Sequence, residues 1–109
     1  MPKDVTETPV LDLLATMTAA SFEASSLDPE ALMLVRIAAL AAVDAPPASY
    51  MLNLAMAKEL EIDEEKVRGV FAAIAPIVGT ARVASAMGNI VRALGLAIEL
   101  AELEEEIEA

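Results

Sequence analysis

Apolar residues recur at three- and four-residue intervals through most of this chain, and prolines and acidic caps divide the pattern into helices. Thr8 and Pro9 open the first, which the spacing of Val10, Leu13, Leu14, Met17 and Phe22 carries to about Ser25. Asp28-Pro29-Glu30 repeats the device with an aspartate cap, a proline whose missing N–H is not needed in the first turn, and an acid at the positive end of the helix dipole. The second helix extends to about Val43, and between Ala31 and Val43 its only charge is Arg36. A helix that is apolar nearly all round is one that neighbours or other subunits cover.

Asp44-Ala45-Pro46-Pro47 stops the second helix, because proline disfavours helix in the residue before it and cannot continue one. Pro47 then starts a third, through about Leu60. Asp63 caps a fourth, whose stripe is Val67, Val70, Phe71 and Ile74 and which Pro76 and Gly79 bring to an end. Thr80 is the expected cap of the last helix, which meets no further proline and has room for about 27 residues, or roughly 40 Å. Its seam Val83, Met87, Ile90, Leu94, Ile98 and Ala101 steps by threes and fours, and Ala84, Gly88, Ala93 and Ala97 add small contacts. Both a coiled-coil seam and ordinary core burial fit that spacing. The pattern as a whole predicts one all-α domain over residues 1–109, with five or six helices in an orthogonal or antiparallel bundle. Residues 1–7 form a flexible polar lead-in and residues 99–109 an acidic helix end.

Composition changes this picture in one respect. The chain is 57% hydrophobic yet has only three aromatics, Phe22, Tyr50 and Phe71. A core of Ala, Leu, Ile, Val and Met yields little buried area for a chain this short, so self-association is the expected remedy. A membrane span is not expected, because Asp12, Glu23, Arg36, Asp44, Lys58, Arg82, Arg92 and Glu99 interrupt each apolar run before about 18 residues. The chain opens on no cleavable signal region, which makes a cytoplasmic location the expectation. A net charge of −11 with seven Lys and Arg argues against nucleic acid. Six of the eighteen acids fall at Glu99, Glu102, Glu104, Glu105, Glu106 and Glu108, where they oppose the helix dipole. The closing stretch LAIELAELEEEIEA has a texture shared by engineered helices and natural solubilising ends.

The chain contains no histidine and no cysteine. Proton shuttling near neutral pH, thiol nucleophiles and ordinary zinc sites all draw on those side chains. The four glycines (Gly69, Gly79, Gly88 and Gly95) are dispersed, so no phosphate-cradling loop or dinucleotide fingerprint is present and no cofactor is expected. Glu102, Glu105 and Glu106 share a helix face, which reads as a solvated acidic surface rather than a metal site.

From Leu27 to about Ile98, LDPEALMLVRIAALAAVDAPPASYMLNLAMAKEL followed by IDEEKVRGVFAAIAPIVGTARVASAMGNIVRAL resembles the carboxymuconolactone decarboxylase-like and alkylhydroperoxidase D-like superfamily. The resemblance rests on the LDP opening, an apolar helix, a break, a helix ending before an acidic start, and a closing turn with Thr80 and Arg82. It implies an all-α subunit that assembles into trimers or hexamers, with sites where subunits meet. Redox-active members of that superfamily carry a glutamate, a Cys-x-x-Cys pair and a histidine. Matched on the Asp63 helix start, Pro46 and Ser49 stand at the cysteine positions, Asn53 at the histidine and Leu34 at the glutamate. None of these replacements supplies the chemistry, so the resemblance carries architecture and no activity.

Arg36, Asp44, Ser49, Tyr50, Asn53, Arg82 and Asn89 are the polar groups set into apolar segments. Structural pairing or capping is one reading of them. A thiol-independent, decarboxylase-like enzyme or small-molecule binder using an inter-subunit pocket of Arg36, Ser49, Tyr50, Asn53 and Arg82 is the other. The main expectation is a non-catalytic homo-oligomeric scaffold, a trimer or hexamer, with Met87, Ile90, Val91, Leu94 and Ile98 as its interface. Its expected partner is itself, with a second protein where the chain is a component of a larger, surface-engineered assembly.

Overall fold

The computed structural model describes residues 8–108, with side chains except at 96–101 and 104–108. The lead-in expected at 1–7, most of the acidic side chains expected at 99–109, and Ile98 lie outside that description. The described residues form five helices and no strand: α1 (Pro9–Ala24), α2 (Pro29–Ala42), α3 (Pro47–Glu59), α4 (Glu64–Val78) and α5 (Thr80–Glu108). No helix among them is long and apolar enough to cross a membrane.

Local chemistry sets most boundaries. Asp28 Oδ1 accepts from the Ala31 N–H at 2.8 Å, and Asp63 Oδ1 accepts from the Glu65 N–H at 3.0 Å, so both aspartates cap as expected. Thr8 differs, because it holds the cap position of α1 without a side-chain hydrogen bond. Thr80 differs more. It is already the first residue of α5, and Gly79 serves both helices: its N–H donates to Ala75 O at 2.9 Å and its carbonyl accepts from Val83 N–H at 3.2 Å. With φ 93° and ψ 153°, Gly79 occupies backbone space open essentially to glycine alone.

α2 and α3 each end in the same kind of turn. Ala45 N–H reaches back to Leu40 O and Asp44 N–H to Ala41 O; Ile62 N–H reaches Ala57 O and Glu61 N–H reaches Lys58 O. These are Schellman closures, in which the residue after the cap is left-handed. Glycine is usual there, yet this chain places Asp44 (φ 57°) and Glu61 (φ 58°) in that conformation.

Four of the five helices form the core. α2 packs against α3, α4 and α5, and α5 also packs against α3 and α4. Met33, Ile37 and Tyr50 are the largest side chains fully enclosed, with Leu32 and Phe71 beside them. Alanines (Ala41, Ala45, Ala57, Ala86 and Ala93) make up the rest of the buried apolar set, so the helices sit close but bury little area each. On α4 the expected stripe is present, with Phe71 buried and Val67 and Ile74 half-buried against the core. α1 stands apart, with no buried residue along its 16 positions. The radius of gyration of 15.9 Å, against about 13 Å for a compact chain of this length, reflects that outlying helix and the length of α5.

Backbone strain at these turns is directly testable. Glu61→Gly relieves a left-handed side chain at an exposed position and is expected to raise stability by about 0.5–1 kcal/mol in urea denaturation. Gly79→Ala is expected to lower it by about 1–3 kcal/mol through backbone conformation alone, since a methyl there would meet nothing within 4 Å.

Candidate functional site

Arg36 emerges from the middle of α2 toward α1. Its Nη2 donates to Ser21 Oγ at 2.9 Å and to Thr18 O at 3.4 Å, and its guanidinium lies 4.5 Å from the centre of the Phe22 ring. The ion pairs among the described residues, Lys66–Glu30 and Arg68–Glu64, do not include it. The charge on this apolar helix is thus held by a carbonyl, a hydroxyl and an aromatic face, all from α1. Arg36 is what fastens the outlying helix to the core.

Open space runs along α1 beside this contact. A recess of about 270 Å³ is lined by Thr18, Arg36, Ala39, Leu40, Leu52 and Asn53. It adjoins a groove of about 700 Å³ between α1 and α3, where Leu11, Leu14, Phe22, Leu52 and Met56 form most of the apolar wall and Ser49 a polar edge. Thr18 and Leu52 belong to both. Of the five residues expected to share a pocket, Arg36 and Asn53 meet in the recess and Ser49 stands in the adjoining groove. Asn53 Nδ2 donates to Ser49 O at 3.1 Å, which turns part of its amide back onto its own helix.

Tyr50 and Arg82 line neither space. Arg82 Nη1 donates to Ala42 O at 2.8 Å, where a cation meets the negative end of α2. Two further residues of α5 hold the same turn: Ser85 Oγ donates to Asp44 Oδ1 at 2.7 Å and Asn89 Nδ2 to Ala45 O at 3.1 Å. Arg82, Ser85 and Asn89 share a helix face at spacings of three and four, and that face clasps the α2–α3 turn. Tyr50 is fully enclosed in the core, and its hydroxyl has no hydrogen-bond partner among the described residues. Burial and the nearby Asp44 carboxylate push its pKa above the ordinary tyrosine value.

The interface candidates lie elsewhere, on the outer side of α5. Met87, Val91 and Leu94 are exposed, whereas Ile90 is half-buried against the core. The residues that sequence spacing did not single out for a site are Leu11, Thr18, Ser21 and Phe22. Of these, only Phe22 belongs to the apolar spacing that marks the first helix.

Two predictions follow from this geometry. Arg36→Met is expected to accelerate hydrogen exchange of α1 amides about 30-fold, equivalent to about 2 kcal/mol, while the amides of α2–α5 keep their protection. Tyr50→Phe is expected to raise stability by about 1 kcal/mol, because it removes an unsatisfied buried hydroxyl. With its folded pKa raised, Tyr50 contributes stability fully present below the unfolded value of about 10 and lost as pH rises through the folded one. Alkaline denaturation should therefore begin at higher pH in Tyr50→Phe. As the chain has one tyrosine and no tryptophan, an ultraviolet titration of the wild type reads this group alone.

Comparison of this chain with protein-family models, with curated proteins and with solved structures finds no match.

Proposed function

We propose that this chain is the subunit of a non-catalytic, self-associating helical scaffold, a trimer or hexamer built on the alkylhydroperoxidase D-like arrangement that its sequence resembles. The observation that carries this reading is the outer face of α5. Met87, Val91 and Leu94 follow one another at four and three residues and are each about half or more exposed (49%, 69% and 49%). Gly88 and Gly95 lie on the same side. A methyl at Gly95 would meet nothing within 4 Å, and one at Gly88 only the Arg92 guanidinium at 3.5 Å. Helical glycine costs about 1 kcal/mol against alanine, and nothing within the subunit requires it at either place. Close approach of a second helix does require it, with the three apolar side chains closing around the contact.

Such a subunit serves by assembling, either with its own copies or as one component beside a second protein. A second reading, a small-molecule binder, draws support from the meeting of Arg36 and Asn53 in one recess. It would show as a thermal shift with small carboxylates or lactones and no dependence on α5.

Light scattering tests the scaffold. The wild type is expected to run as a multimer at micromolar concentration, and Val91→Glu to lose mass while keeping its helical circular dichroism, since Val91 lies outside the subunit core. A wild type that is a stable monomer would overturn the reading.

A further inference from the structure

We infer that α1 and the adjoining wall of α3 form a second self-association surface, on which a second copy seats its own α1 about a two-fold axis. The inference rests on the scaffold reading and adds to it a contact separate from α5, since no residue of α5 lines the α1–α3 groove.

Three features of α1 carry it. Its groove face presents Leu11, Leu14, Thr18 and Phe22 toward Leu52 and Met56 of α3, yet about 700 Å³ stays open between the two helices. An adjoining face presents Val10, Leu13 and Met17, which are 67%, 59% and 56% exposed. Asp12 and Glu23, the only charges in α1, project on the remaining side, so covering both apolar faces strands no charge. An outlying surface helix would ordinarily turn one apolar stripe inward; this one has two, and its own core buries neither.

Self-complementarity selects the occupant. A two-fold contact needs a patch that offers both the projecting ridge and the groove that takes it. Val10, Leu13 and Met17 supply the ridge, and the α1–α3 groove supplies the receiving surface. A standard interface takes about 800 Å² from each partner, of which about two thirds is apolar in homodimers. The six most exposed side chains here (Val10, Leu11, Leu13, Leu14, Met17 and Leu52) offer roughly 200–400 Å², at the area per aliphatic side chain that transfer energies imply. Ala15, Ala19, Ala48 and Met56 line the groove beside them. The patch is also neutral, which matters when each copy carries a net charge of −11.

Two experiments decide it. Because the chain has no cysteine, Leu13→Cys on one copy and Leu52→Cys on another place one thiol on the ridge and one in the groove. Mild oxidation of the mixture should link them into a covalent dimer, whereas Leu13→Cys mixed with Glu65→Cys, on the exposed start of α4, should stay unlinked. In light scattering, the double variant Leu13→Glu, Met17→Glu should fall to a mass between those of the wild type and the monomer. Adding Val91→Glu should complete the descent to monomer. Both α1 positions are exposed in the subunit, so retained helical circular dichroism separates lost association from lost folding. Wild-type mass in the α1 double variant, with Val91→Glu alone giving monomer, overturns the α1 surface and leaves the scaffold intact. A monomeric wild type overturns both. Saturable binding of an apolar dye to the groove with no effect on mass, and no disulfide between Leu13→Cys and Leu52→Cys copies, overturns the second copy in favour of a small apolar ligand.

Discussion

The core of this chain depends on the apolar length of α2, which packs against α3, α4 and α5. Met33 and Ile37 are fully enclosed there, and Ala41 lets the neighbouring helices come close at the far end. The constraint that follows is one of area. A core in which alanine meets alanine gains close contact but removes little apolar surface from water. Three helices packed this way hold α2 in place and leave much of α1 and the outside of α5 uncovered. The same compositional choice thus yields both a defined core and unshielded faces.

Polar side chains then fix what the small core leaves loose. On one side, Arg82, Ser85 and Asn89 of α5 hold the α2–α3 turn through Ala42 O, the Asp44 carboxylate and Ala45 O. On the other, Arg36 holds α1 through Thr18 O, Ser21 Oγ and the Phe22 ring. The first clasp uses three residues and secures a turn whose left-handed Asp44 would otherwise be strained. The second uses one residue of α2 to reach α1. Of the residues that stand out in the sequence, Arg82 acts here as a structural connector. Arg36 connects and also faces the recess beside Asn53.

Helix order and most boundaries were legible because local chemistry writes them. The aspartate caps at 28 and 63 and the prolines at 29 and 47 act on adjacent backbone, and adjacent backbone is what a sequence lists in order. What escaped was set by geometry or by distance. Gly79 reads as a terminator, and its second role at the start of α5 appears only once two helices share a single connecting residue. Asp44 and Glu61 carry no sign that they sit where glycine is usual. Helical spacing marks α1 as amphipathic whether it lies in a core or beside one, so its isolation was not visible. The partners of Arg36 lie 15 and 18 residues away on another helix, beyond the reach of any spacing rule. For the same reason the seclusion of Tyr50 was not visible, and Arg82 could be read as a capping or pairing group without its partner, Ala42 O, being named.

The distribution of charge bears on how the proposed assembly holds together. Acidic residues are concentrated at 59–65 and 99–108, while Arg92 is the only charge between Val83 and Ile98 and α1 carries only Asp12 and Glu23. Apolar faces and carboxylates are therefore segregated along the chain. Copies that meet through α1 or the first half of α5 bring together neutral surfaces. Their repulsion acts over longer paths through solvent, where salt at physiological strength screens it within about 8 Å. Approach by the acidic segments, by contrast, sets carboxylate against carboxylate. On this argument the acidity limits which faces of the proposed assembly can meet.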